Sequence, residues 1–148
     1  MNLETLGNFL LILIGFTVFF VSLWVFVLFI ISLVGGWARL ATCYRAPGPF
    51  EGPQWHLQSG HMSLTRYKGV LTFGADREGL YLATFLLFRI SHPPLWIPWS
   101  EITMTESHRF LFMHMALTFA QVPGVTLYIP RRISERITAA RDGLPLDM

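Results

Sequence analysis

The sequence predicts a membrane-anchored α+β chain: one N-terminal transmembrane helix, then a small antiparallel β-barrel capped by a C-terminal helix. Three observations predict it. Phe9 to Val34 (FLLILIGFTVFFVSLWVFVLFIISLV) is a 26-residue apolar run interrupted only by Gly15, Thr17, Ser22 and Ser32. From His61 the texture changes to period-two runs broken by turn residues, the mark of an antiparallel sheet. Near the end, Ile133, Ile137 and Ala140 form one apolar stripe at helical spacing.

The apolar run organises the first half of the chain. No charged residue occurs between Glu4 and Arg39. As a helix the run is about 39 Å long, against a hydrocarbon core of about 30 Å, so it crosses a bilayer with some tilt. A signal peptide is the competing reading. It fits poorly, because Met1–Asn8 has no Lys or Arg, the run is too long, and no small-x-small cleavage site precedes Arg39. Asn2 or Thr5 is placed to cap the helix. Asn8, Gly15, Ser22 and Gly36 recur at multiples of seven, a small-residue stripe that suits close packing by another helix. Trp24 lies near the middle of the run rather than at an interface.

The rest divides by punctuation. Residues 1–36 are tail and span, and 37–60 are a juxtamembrane helix and Pro/Gly linker. Residues 61–143 are the barrel with its C-terminal helix, and 144–148 are a tail. Gly35-Gly36 is expected to loosen the first helix. Trp37, Leu40, Ala41 and Tyr44 then form one stripe of a helix lying in the headgroup zone, with Trp37 and Tyr44 as interfacial anchors. Pro47-Gly48-Pro49 ends it. Strands are expected over His61–Tyr67, Val70–Gly74, Gly79–Phe88, Leu95–Pro98, Glu101–Ser107, Phe110–Phe119 and Val125–Ile129, with a short one around Trp55 and Leu57. The intervening turns include Lys68-Gly69 and Ala75–Glu78. Pro98 marks an edge or bulge, since it cannot donate to a ladder. The last helix spans Pro130–Arg141 and stops at Gly143 and Pro145.

Charge sets limits on partners. From Trp37 onward there are 11 Lys/Arg and 8 Asp/Glu, a balance of +3 that is too weak to argue for nucleic acid. Arg39 and Arg45 follow the span while the N-terminal tail has no base, so the positive-inside rule puts the N-terminus outside and the domain in the cytoplasm, on the inner membrane. A single cysteine, Cys43, excludes an intrachain disulfide; its position suits either acylation or a plain thiol. The span holds no His, Cys, Met or carboxylate and so offers no ligand for haem or metal; no cofactor is expected.

Two stretches carry a family resemblance. LTFGADREGLYLAT resembles the strand–turn–strand hairpin of GRAM and bacterial PH-like domains. LWIPWSEITM resembles the strand pair that follows it, with Ile97, Trp99 and Ile102 at the family's apolar positions. Over Met62–Gly143 the resemblance implies a pleckstrin-homology-like barrel on a small bacterial single-span membrane protein. It also implies a non-catalytic role in binding lipids, peptides or other proteins.

The residues point to contact rather than catalysis. His56, His61, His92, His108 and His114 have no metal-ligand spacing and suit surface or strand-end positions. A hydrolytic site would have to combine Ser100 or Ser107 with His92 or His108 and Glu101 or Glu106, and no nucleophile elbow is present. Arg131 and Arg132 oppose the dipole of the last helix, a cost that a bound phosphate or carboxylate would reverse. Arg136 lies one turn on, and Glu135 or Asp142 would neutralise the pair instead. Trp96 and Trp99 have opposite strand parity, so the outward one is a natural interface anchor. Phe110, Phe112, Met113 and Met115 make one strand apolar on both faces, which calls for an outer cover. The expectation is an accessory or scaffolding subunit of a larger membrane assembly, with other subunits or a second copy of the chain as partners. The alternative is a sensor of anionic lipid headgroups through Arg39, Arg45, Arg131 and Arg132.

Overall fold

A computed structural model describes residues 1–108 and 114–146. The element order is α1 (Leu3–Gly35), α2 (Trp37–Tyr44), β1 (Gln54–Met62), β2 (Thr65–Ala75), β3 (Gly79–Thr84), β4 (Leu95–Pro98), β5 (Ile102–Ser107), β6 (His114–Phe119), β7 (Val122–Pro130) and α3 (Arg131–Arg141). The expected strand between residues 110 and 119 is observed from His114; Phe110, Phe112 and Met113 lie outside the described residues.

One long apolar helix opens the chain. Asn2 caps it, its Oδ1 accepting from the Thr5 amide at 2.9 Å. The Thr17 and Ser22 hydroxyls donate to the carbonyls four residues back, Leu13 and Val18, so neither polar side chain needs an outside partner. Residues 1–24 are exposed, and burial begins only at Leu28, Ser32 and Gly35, where the helix meets the domain.

Gly35-Gly36 is a tight joint, not the expected loosening. Gly36 sits in the left-handed region at φ 89° and ends α1 as α2 begins, its amide reaching the Leu33 carbonyl. A Cβ at Gly36 would lie 2.5 Å from a Val125 methyl, and one at Gly35 would lie 2.7 Å from Thr65 Oγ1. Both glycines are needed for close approach.

α2 also departs from expectation. Trp37, Leu40 and Tyr44 are 0%, 0% and 3% exposed and belong to the domain core rather than to a headgroup layer. The stripe is apolar as its spacing predicts, but its cover is the sheet: α2 packs on β4 and β7.

The seven strands form one antiparallel curled sheet in the order β4-β3-β2-β1-β7-β6-β5. It is a half-barrel rather than a closed barrel. β4 ends at Pro98, which has no N–H, and a 3-10 turn at Trp99–Glu101 carries the chain round the corner to β5. β1 joins the two halves, pairing with β2 along its length and with β7 at His61 and Met62. Gly60 allows the bend, since a Cβ there would lie 3.0 Å from Leu71 and 3.3 Å from the Tyr128 carbonyl.

The register of the first hairpin corrects the sequence reading. β1 begins at Gln54, inside the expected linker, and the turn falls at Ser63-Leu64 instead of Lys68-Gly69. β2 runs through Lys68-Gly69 as a bulge, with the Gly69 amide donating to Ser59 Oγ at 2.8 Å. A glycine at positive φ serves a bulge as well as a turn, so the residue type did not decide between them. Likewise β3 stops at Thr84 and Leu86–Phe88 is a 3-10 turn.

The remaining linker is fixed in place. Ala46 N–H donates to the Pro94 carbonyl, Phe50 stacks on Tyr81 with centroids 5.1 Å apart, and Ala75 N–H donates to the Pro53 carbonyl. α3 lays Ile133, Ile137 and Ala140 against β2, β6 and β7. The core therefore has one curled sheet around it and two helices filling its openings, each burying an apolar face.

Candidate functional site

The most organised polar feature lies where α1, α2 and the β3–β4 loop meet. The loop, residues 85–94, runs back along the helices. Its Phe88 ring lies 5.7 Å from that of Trp24, and its Pro93 carbonyl accepts from Trp37 Nε1 at 2.9 Å. Between them His92, 0% exposed, packs edge-on to Trp37 and Tyr67 and shares a 3.0 Å hydrogen bond between its Nε2 and the Tyr67 hydroxyl. Burial lowers the His92 pKa, and the Phe88 backbone partly offsets this. Burial also raises the Tyr67 pKa well above its ordinary value. The sequence places His92 at a surface or strand end; it is a core residue, and the Ser91–Pro94 turn ties α2 to the sheet through His92 and Pro93. Serine–histidine chemistry through His92 therefore has no geometric basis.

The second feature is apolar. Beside Trp24, Phe85, Leu86, Leu87 and Ile90 are 48%, 70%, 62% and 68% exposed, and they adjoin the exposed apolar helix. On α1 itself, Phe29, Ile30, Leu33 and Val34 also face outward, on the side away from the domain.

The expected site residues do not converge. Of the small-residue stripe, Asn8, Gly15 and Ser22 are exposed and nothing lies near Gly15, whereas Gly36 is buried under Val125 and is closed to a partner helix. Arg39 and Arg45 are exposed on and after α2, with Arg39 near Gly124. Arg131 and Arg132 are exposed, and Arg131 Nε donates to Glu135 at 2.9 Å, the neutralising alternative. Both tryptophans are half-buried and used by the fold: the Trp96 ring covers Gly79, and Trp99 Nε1 donates to the Asp76 carbonyl at 2.7 Å beneath the Arg141 guanidinium.

Grooves among the described residues include the following. One of about 320 Å³ is lined by Glu106, His114, Arg131 and Ser134, a set sequence reasoning did not assemble because it spans three elements. The Ser134 hydroxyl is committed to the Arg131 carbonyl at 2.7 Å. Another, of about 400 Å³, lies between His61, Arg66, His114 and Tyr128. The third, of about 510 Å³, lies between the Pro47–Glu51 linker, Tyr81 and Trp96. Among the described residues no three His, Cys, Asp or Glu side chains are grouped to hold a metal. No protein-family model matches the chain, and no curated protein or solved structure matches it significantly.

Proposed function

We propose that this chain is a membrane-anchored, non-catalytic interaction module, an accessory or scaffolding subunit of a larger membrane assembly, with a PH-like domain on the cytoplasmic side. One observation carries the reading: the apolar helix is built into the domain, not tethered to it. Leu28, Ser32 and Gly35 are buried on the domain, and the next turns of helix put Trp37, Leu40 and Tyr44 in its core. A span joined this way holds the domain at a fixed angle to the helix axis, which suits positioning a partner. The helix is long and apolar enough to cross a membrane. Seven strands followed by one terminal helix support the PH-like reading, and α2 and α3 both pack on the core, leaving recognition to outer surfaces. The headgroup-sensor reading is weaker because Arg131 is paired with Glu135.

Extraction of the intact protein from native membrane in mild detergent tests this. The expected result is a particle much larger than one 16.9 kDa chain with its micelle, containing other membrane proteins in fixed ratio. A monodisperse single-chain particle overturns the proposal.

A further inference from the structure

We infer that the Phe85–Ile90 loop is a second membrane contact, inserted into the acyl–headgroup boundary beside the helix. This rests on the membrane reading above. Trp24, the residue that meets Phe88, precedes the end of the apolar run at Val34 by ten residues, about 15 Å of helix. The domain already covers Leu28, Ser32 and Gly35, so the bilayer ends near Trp24, and the loop is carried to that boundary. At that level it presents four large apolar side chains outward, Phe85, Leu86, Leu87 and Ile90, continuous with the apolar helix. Arg89 apart, water there would meet apolar side chains on both loop and helix, whereas lipid covers both parts at once.

The loop is held for this task at both ends. The Phe85 amide donates to the Val70 carbonyl at 2.7 Å, and the Pro93 carbonyl is bound by Trp37. Arg89 is compatible with the boundary: its Nε donates to the Thr84 carbonyl, and its exposed guanidinium lies where a lipid phosphate is within reach of a snorkelling side chain. A span alone leaves a domain free to rotate about the helix axis; a second, off-axis insertion fixes that rotation.

The test uses the full chain in phosphatidylcholine–phosphatidylglycerol vesicles. An environment-sensitive fluorophore is attached at Leu87→Cys in a Cys43→Ser background, with Phe16→Cys and Glu78→Cys as span and aqueous controls. The expected result at Leu87 is a blue-shifted emission, quenching by spin-labelled acyl chains and loss of the iodide quenching seen at Glu78. Iodide quenching at Leu87 with a lipid-shielded Phe16 label overturns the loop contact alone. Iodide quenching at Phe16 as well overturns the membrane reading and the loop contact with it. A Leu87 label shielded from both quenchers shows a protein cover and also overturns the inference.

Discussion

The Tyr67 hydroxyl and His92 Nε2 lie 3.0 Å apart beneath the Trp37 indole, where α2, the sheet and the β3–β4 loop meet. Their burial makes the joint sensitive to pH in both directions. His92 has a folded pKa below its ordinary 6.5, so the unfolded chain binds the proton more readily. Stability from this group is full above pH 6.5 and declines as pH falls through and below that value. Tyr67 has a folded pKa above its ordinary 10, so its contribution is full below pH 10 and declines as pH rises past it. Thermal unfolding in nanodiscs across pH 5–11 should show both declines. The acid one should shrink in His92→Gln and the alkaline one in Tyr67→Phe.

Gly36→Ala should destabilise the protein by about 1–3 kcal/mol, because the substitution combines a left-handed backbone with a contact against Val125. A Val125→Ala partner change should recover the steric part and leave the backbone part. The double-mutant cycle by thermal or denaturant unfolding checks this.

Trp37→Phe keeps most of the buried ring and removes the hydrogen bond to the Pro93 carbonyl, for an expected loss of about 1–2 kcal/mol. Trp37→Ala should cost about 3–5 kcal/mol through the cavity it leaves. The milder variant should also raise hydrogen exchange in the 85–94 loop, while a purely local effect would leave the loop's exchange unchanged.

Asp76 holds the β2–β3 turn by accepting from the Glu78 and Gly79 amides at 2.8 and 2.9 Å. Asp76→Ala should lower stability by about 1–2 kcal/mol, with Asp76→Asn recovering much of it, since either side-chain oxygen accepts both bonds. Equal losses in the two variants would contradict the turn's role.

Arg131→Ala should change stability very little. Its pair with Glu135 is exposed on both sides, and such i,i+4 pairs are worth about 0.3–0.5 kcal/mol in low salt. A large loss would mean that Arg131 has a structural role beyond this pair.

The local chemistry of the sequence settled much of this protein. The 26-residue apolar run is a long helix, most of the period-two runs are strands, and Ile133, Ile137 and Ala140 are the inner face of α3. The turn at Asp76 and the end of β4 at Pro98 were also legible, because each depends on what one residue can donate or accept. What the stripe of Trp37, Leu40 and Tyr44 packs against was decided only by tertiary structure. An apolar face states that it must be covered, not by what, and the sheet took the place expected of the membrane. The same holds for His92, which packs against residues from two distant elements, Trp37 of α2 and Tyr67 of β2, and for Gly69, whose positive φ suits a bulge or a turn alike. Periodicity and single-residue geometry act within a few positions of the chain; the choice of partner for a face is made only when the chain has closed on itself.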